Sequence, residues 1–118
     1  MAATVDIDKM RDGAAAATGL LRILANEDRL MLLCQLTHGE HSVSELEELL
    51  EIPQPTLSQQ LGVLRKEAIV ATRRDGKRIY YQVSEPRVRQ LLGVLYTLFC
   101  APARRATSQK RISRAAES

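Results

Sequence analysis

The residues best suited to specific chemistry are small polar side chains on one short segment. Gln54, Thr56, Ser58, Gln59 and, at the margin, Gln60 fall between the apolar positions of that segment. Ser, Thr and Gln side chains can hydrogen-bond to base edges and phosphates in the major groove of DNA without like-charge repulsion. Polar residues on an isolated helix usually mean no more than a solvated face. The neighbouring elements therefore decide between a solvent-facing helix and one that reads DNA.

Two short helices in tandem provide that context. Ser42 and Ser44 each begin a Ser-x-x-Glu pattern before an apolar run, which predicts a capped helix start. Pro53 ends this first helix, and Pro55 suits the first turn of the next one. The second helix has an apolar stripe at helical spacing, formed by Leu57, Leu61, Leu64 and Ala68. The pattern predicts a helix-turn-helix in which the second helix presents its polar residues to DNA.

A basic hairpin follows the second helix. Segments 69–74 and 77–83 flank Asp75-Gly76, a dipeptide that favours the backbone angles of a two-residue turn. A charged tip can simply discourage aggregation at a sheet edge. Beside a reading helix, it is better interpreted as a wing that contacts phosphates, together with Arg65 at the end of that helix. The cations of the predicted wing are Arg73, Arg74, Lys77 and Arg78.

The charge of the whole chain is distributed unevenly. The 118 residues carry a formal net charge of +3, without Trp and with one Phe. Residues 1–64 hold four Lys/Arg and ten Asp/Glu, whereas residues 65–100 hold eight and three. Such a chain presents one positive face to a polyanion, so its affinity should fall as salt rises. We expect a single winged helix-turn-helix DNA-binding and dimerisation domain over 1–100 and a basic, disordered tail over 101–118.

The fold class predicted from these patterns is mainly α with a two-stranded β wing and about five helices. Helical spacing predicts a first helix over 8–24 and a last helix from about 85 to 100. Between them, cap-type residues at 26–29 precede an apolar run over 30–36, which predicts a second helix that ends near His38 and is buried because it is almost apolar all round. The first and last helices carry more apolar residues than one small domain needs. We expect a homodimer through these terminal helices, with reading helices roughly 34 Å apart on an inverted-repeat operator in double-stranded DNA.

Other function classes find little support in the sequence. It has no apolar run of membrane-spanning length and no amino-terminal signal pattern, which predicts a cytoplasmic protein without a membrane partner. It has no C-x-x-C motif, Gly-rich phosphate loop or Ser/His/Asp grouping, so we expect no enzyme. Cys34 and Cys100 remain. A cysteine in an apolar stripe is most often a small core residue, and that reading stays open.

Four segments resemble the ArsR/SmtB family of transcriptional repressors: 25–30 (ANEDRL), 41–46 (HSVSEL), 57–61 (LSQQL) and 79–81 (IYY). The resemblance covers about residues 14–100 and implies a winged-helix repressor. Members of the arsenic- and lead-sensing branch carry Cys-x-Cys where this chain has Ser42 and Ser44. The zinc-sensing branch carries aspartate and histidines where this chain has Glu85 and Arg87. Serine hydroxyls are poor ligands for soft ions, so we expect neither metal site and no cofactor.

The two cysteines and segment 95–100 (LYTLFC) resemble the thiol-based subgroup of this family. That resemblance implies reactive sulfur species (persulfide or polysulfide) or oxidants as inducer, acting through a Cys34–Cys100 disulfide or polysulfide bridge that lowers operator affinity. Two alternatives remain. The chain could activate transcription by displacing a nucleoid silencer, as some subgroup members are thought to do, or respond to a metal bound by Cys34, Cys100 and His38.

Overall fold

The computed structural model describes residues 6–100, and the predicted basic tail lies outside this range. Five helices within the described part confirm the predicted helical architecture, and three short strands complete it. In chain order the elements are α1 (Ile7–Leu24), α2 (Glu27–Thr37), β1 (His41–Ser42), α3 (Val43–Leu50), α4 (Gln54–Lys66), β2 (Val70–Asp75), β3 (Arg78–Val83) and α5 (Pro86–Phe99).

Polar side chains cap the starts of α1, α2 and α3, and α1 and α2 begin slightly earlier in the chain than predicted, at Ile7 and Glu27. The side chain of Asp6 accepts hydrogen bonds from the first turn of α1, and that of Asn26 accepts from the first turn of α2. Of the two Ser-x-x-Glu patterns, the one that begins at Ser42 forms the cap of α3. The amide of Glu45 donates to Ser42 Oγ, and the Ser42 amide donates to Glu45 Oε1, which completes a reciprocal capping box.

Helices α3 and α4 form the predicted helix-turn-helix. Glu51 adopts a left-handed conformation (φ 57°) that ends α3, and Pro55 lies in the first turn of α4 as expected. The stripe of Leu57, Leu61 and Leu64 is buried. The prediction for Ala68 was wrong: α4 ends at Lys66, and Ala68 is exposed with a φ of 61°. Its left-handed conformation redirects the chain into β2 rather than extending the stripe.

The wing is a hairpin of β2 and β3, and β1 adds a third antiparallel strand that the sequence pattern did not reveal. The register pairs Asp75 with Arg78, so the two-residue turn is Gly76-Lys77 and not Asp75-Gly76 as predicted. Gly76 has a φ of 66° at the first central position of this turn. A type II′ hairpin places glycine there, because that position needs a positive φ.

Helix α2 occupies the centre of the fold, where it packs against α1, α3, α5 and β3. Its burial is one-sided, contrary to the expectation from its apolar composition: Leu32, Leu33 and Leu36 are buried, but Met31 is 42% exposed and Cys34 only half-buried. The terminal helices also expose large apolar side chains, namely Ile7, Met10, Leu21, Val94, Tyr96, Leu98 and Phe99. Between residues 6 and 100, no helix is both long and apolar enough to cross a membrane.

Candidate DNA interface and thiol site

The outer face of α4 presents the polar residues expected of a reading helix. Gln54, Ser58 and Gln59 are exposed, and Thr56 is partly exposed at the start of the same helix. The opposite face carries the buried leucine stripe and fixes the helix against the core. Arg65 lies exposed in the last turn of α4, close in sequence to the basic wing. This arrangement can offer neutral donors and acceptors to base edges and a cation to the backbone.

Gln60 differs from the other polar residues of α4. It is partly buried, and its Oε1 accepts a hydrogen bond of 2.7 Å from Nε of Arg29 on α2. Nη1 of Arg29 also donates to the carbonyl oxygen of Ile23 near the end of α1, at 2.8 Å. The guanidinium of Arg29 therefore joins α1, α2 and α4. The sequence pattern predicts Gln60 at the margin of the DNA-reading face. In the structure its side chain instead binds Arg29 on α2.

The wing cations fall into two groups. Arg74, Lys77 and Arg78 are exposed near the turn, where they can reach phosphates. Arg73 is also exposed, but its guanidinium binds the Glu40 carboxylate through Nε and Nη2 and lies 4.9 Å from the centre of the Tyr80 ring. This hydrogen bond from Arg73 holds the pKa of Glu40 below its ordinary value. The positive charge of Arg73 is thus largely balanced within the protein.

Cys34 and Cys100 line the same cavity. The cavity has a volume of about 310 Å³ and lies mainly between α2 and α5; it is lined by Glu27, Leu30, Met31, Cys34, Gln35, His38, Leu50, Tyr96 and Cys100. Both cysteines are free; Cys34 is half-buried in α2, and Cys100 is exposed as the residue that caps the end of α5. Burial raises the pKa of the Cys34 thiol, and the negative charge of a Cys100 thiolate raises it further.

His38 lies beside this pair but contacts other groups. Its Nδ1 is 2.9 Å from the carbonyl oxygen of Cys34, and its ring meets the edge of Tyr96 with centroids 5.5 Å apart. Within residues 6–100, no three His, Cys, Asp or Glu side chains form a group that could hold a metal ion. Leu30, Met31 and Leu50 supply apolar surface to the cavity, Glu27, Gln35 and His38 supply polar groups, and the two thiols are its nucleophiles.

Comparison with known proteins identifies the family. A sequence profile of bacterial regulatory proteins of the arsR family matches residues 26–72, which include α2, α3 and α4. The biofilm growth-associated repressor of Agrobacterium fabrum is 50% identical over 98 residues, which are 83% of this chain and 84% of that protein. The chain belongs to the ArsR family. Members of this family are DNA-binding transcriptional regulators rather than enzymes, and they usually act as dimers.

Two further relatives extend over nearly the same part of this ArsR-family chain. The transcriptional activator HlyU of Vibrio cholerae is 38% identical over 83% of this chain and 91% of its own length. The crystal structure of the transcriptional repressor BigR from Xylella fastidiosa superposes with a TM-score of 0.75 at 49% identity, covering 83% of this chain and all of that chain. These likenesses confirm the winged helix-turn-helix fold, and they include relatives named for both repression and activation.

Sequence reasoning missed three contributors to these surfaces. Arg29 stood within a family motif, but nothing in the pattern linked it to Gln60, because that contact joins residues 31 positions apart. Glu40 gave no signal as the partner of Arg73, since β1 was not predicted. Met31 was assigned to a buried helix, although its exposure places it on the cavity wall.

Proposed function

We propose that this ArsR-family regulator is a cytoplasmic homodimeric repressor that releases its operator when reactive sulfur species or oxidants join Cys34 to Cys100. The observation that carries this proposal is the shared cavity, in which both thiols lie between α2 and α5. The cytoplasm keeps thiols reduced, so a bridge there would form only in response to a chemical signal. Reduced protein binds the operator tightly, and bridged protein binds it more weakly.

The bridge would act by tying two elements together. Cys100 ends α5, a helix with exposed apolar residues suited to a dimer contact, and Cys34 lies in the central helix α2. A direct disulfide needs Cα atoms about 4.4–6.8 Å apart, whereas a polysulfide spans a wider gap. Either bridge would pull the end of α5 toward the core and so change the spacing or mobility of the two reading helices. Operator affinity is then coupled to the thiols through a difference between two protein states.

The DNA contacts follow from the exposed face of α4 and from the wing. The polar residues of α4 contact base edges or nearby phosphates of the DNA: Gln54, Thr56, Ser58 and Gln59. The cations at the end of α4 and on the wing contact the DNA backbone: Arg65, Arg74, Lys77 and Arg78. Arg73 and Gln60 contribute less directly, because Glu40 and Arg29 already occupy their polar groups. Two copies related by twofold symmetry would read an inverted repeat with half-sites about one helical turn apart.

Repression is favoured over activation by the relatives. The relative with 50% identity is named a repressor, whereas the one named an activator is 38% identical. An activator that displaces a nucleoid silencer would use the same DNA contacts. Transcription from the native promoter with and without the silencer separates the two outputs: a repressor lowers transcription of naked promoter DNA, and a pure anti-silencer leaves it unchanged.

The alternative of a metal-responsive repressor has weaker support. It requires Cys34, Cys100 and His38 to converge on one ion, but the described residues contain no three-ligand group. The Nδ1 atom of His38 is instead held at the backbone carbonyl of Cys34. We therefore assign the cavity to sulfur chemistry.

The deciding experiment pairs intact mass with operator binding. The operator is first selected from a pool of random duplexes with the reduced protein. We expect inorganic tetrasulfide to produce a Cys34–Cys100 bridge, identified by peptide mapping, and to weaken operator binding at least about tenfold, which needs only ~1.4 kcal/mol of coupling. Peroxide and an organic disulfide are applied in parallel to identify the effective oxidant.

Cys34→Ser and Cys100→Ser serve as paired controls. Each should bind the operator like the reduced wild-type chain and lose the response. A mapped bridge that leaves operator affinity unchanged would refute the proposal, and so would a full response in either serine variant.

A further inference from the structure

The thiol cavity has walls that the bridge itself does not require. Leu30, Met31 and Leu50 bring apolar surface from α2 and α3 to the same space as the two thiols. Glu27 and Gln35 also line it, and no Lys or Arg is among its lining residues. Its volume of about 310 Å³ falls at the lower end of the range for small-molecule sites. A pocket of this composition disfavours anions and favours a small uncharged molecule with an apolar part.

We propose that this cavity binds uncharged organic polysulfanes, such as dialkyl trisulfides, and presents their sulfur chain to Cys100 and Cys34. The inference rests on the proposed sensing function and specifies its inducer class. The alkyl group lies against Leu30, Met31 and Leu50, and the sulfur atoms lie toward the thiols. Donors that carry carboxylates, such as glutathione derivatives, meet the carboxylate of Glu27 and lose hydration without a Lys or Arg in the lining to pair with them.

The order of attack follows from exposure. Cys100 is exposed, whereas Cys34 is half-buried. Burial raises the pKa of the Cys34 thiol, so its thiolate fraction at neutral pH is smaller than that of an ordinary cysteine. The Cys100 thiolate attacks a terminal sulfur of R–S–S–S–R. A bond from Sγ to that sulfur forms, the adjacent S–S bond breaks, and RSS⁻ leaves.

Cys34 completes the reaction. Its thiolate attacks Sγ of Cys100, the Cys34–Cys100 disulfide forms, and RS⁻ leaves. The protons of the two thiols end on the leaving groups as RSSH and RSH. The cysteines lose two electrons in total, and the trisulfide gains them, so no other oxidant is needed.

The test compares two trisulfides on the intact chain: dipropyl trisulfide, which is uncharged and apolar, and glutathione trisulfide, which is anionic. Each rate of bridge formation is divided by the rate at which the same trisulfide reacts with N-acetylcysteine amide. This division corrects for the intrinsic reactivity of the trisulfide toward a thiol. We expect a normalised preference of at least about tenfold for dipropyl trisulfide, comparable to the effect of burying two methylene groups. In Cys34→Ser, the same reagent should leave a propyl-disulfide adduct on Cys100.

Met31→Glu and Leu49→Glu form a matched pair. Both positions are exposed, at 42% and 54%, but only Met31 lines the cavity. Met31→Glu should abolish the preference, and Leu49→Glu should retain it. Equal normalised rates for the two trisulfides in the wild-type chain, or an unchanged preference in Met31→Glu, would overturn this inference. The proposed sensing function would still stand if tetrasulfide forms the bridge. Failure of every sulfur donor to form a bridge would overturn both.

Discussion

Arg29 Nε lies 2.7 Å from Gln60 Oε1, and this hydrogen bond ties the central helix α2 to the reading helix α4. The same guanidinium reaches the carbonyl oxygen of Ile23 near the end of α1. Cys34 lies five positions after Arg29 on α2. Helix α2 therefore connects the cavity that holds the two cysteines with the proposed DNA-reading helix, and it offers a physical route between them.

This contact distinguishes the two adjacent glutamines of α4. Gln59→Ala should weaken specific operator binding by about 1–3 kcal/mol without lowering the melting temperature, because its exposed amide is free to read a base. Gln60→Ala should instead reduce stability by about 1 kcal/mol, since it leaves Arg29 without that acceptor. Fluorescence anisotropy and thermal melting measure the two effects. The reverse assignment of effects would show that Gln60 is the reading residue.

The ion pair between Glu40 and Arg73 gives the wing cations different amounts of unbalanced positive charge. Arg74→Ala or Lys77→Ala should reduce the slope of log K against log salt by about 0.9, the value for one phosphate contact. Arg73→Ala should change the slope less, because Glu40 already balances its charge. Glu40→Gln should release Arg73 and steepen the slope. Titrations of a nonspecific duplex at several salt concentrations provide the measurement, and equal slopes for Arg73→Ala and Arg74→Ala would contradict this view.

Ser42 and Ser44 both begin a Ser-x-x-Glu pattern, but only Ser42 caps α3. Ser42→Ala should lower the free energy of unfolding by about 1 kcal/mol, whereas Ser44→Ala should have a much smaller effect. The Ser42 amide lowers the pKa of Glu45, so the stability that this carboxylate adds is present above its unfolded pKa and is lost as pH falls through the folded value. Glu45→Gln should make unfolding less sensitive to acid. Denaturant titrations at neutral and acidic pH test these outcomes, and equal losses for the two serine variants would refute the assignment.

Exposed apolar residues on α5 predict the assembly. Leu98 is 62% exposed, and Leu98→Glu should convert a dimer into a monomer at micromolar concentration, because it places a charge on the expected interface. Leu49→Glu, at a comparably exposed position on α3, should leave the dimer intact. Size-exclusion chromatography with light scattering reports the mass. A monomeric wild-type chain, or a dimeric Leu98→Glu variant, would exclude a dimer built through this helix.

The Cys34 thiol should titrate above an ordinary cysteine. Burial is the larger cause and the Cys100 thiolate the smaller, so Cys100→Ser should lower the midpoint only in part. Rates of iodoacetamide alkylation at Cys34, followed by peptide mass spectrometry across a pH series, give the midpoint in each chain. A midpoint at or below that of a free thiol would show that Cys34 is solvated and activated rather than buried.

The helical frame was predictable because its signals are local. Ser42, Pro53 and Pro55 mark helix ends through their own backbone chemistry, and the leucines of α4 have the spacing of a buried stripe. The hairpin turn lies one residue later than predicted. An Asp-Gly pair fits either of two turn positions, and the pairing between β2 and β3 decides which one forms. Ala68 matched the spacing but not the helix end, which depends on how the chain enters the sheet.

The contacts that organise the candidate sites were not predictable in this way. Arg29 with Gln60 and Glu40 with Arg73 are separated by 31 and 33 positions, so only the folded arrangement brings them together. The placement of Cys34 and Cys100 on one cavity was implied by resemblance to a family and not by spacing. The apolar walls around them depend on one-sided burial of α2, which composition alone obscured.

The lining of the thiol cavity has a consequence for how such proteins diversify. Its residues come from α2 and the cap that follows it, from the end of α3 and from the end of α5, and among the described residues none comes from α4 or the wing. Mutations could therefore alter the chemical signal without altering the DNA sequence that is read. A designer could use the same separation: substitutions at Met31 and Leu50 would change the inducer that the cavity accepts, while the protein would still recognise the operator of an existing promoter.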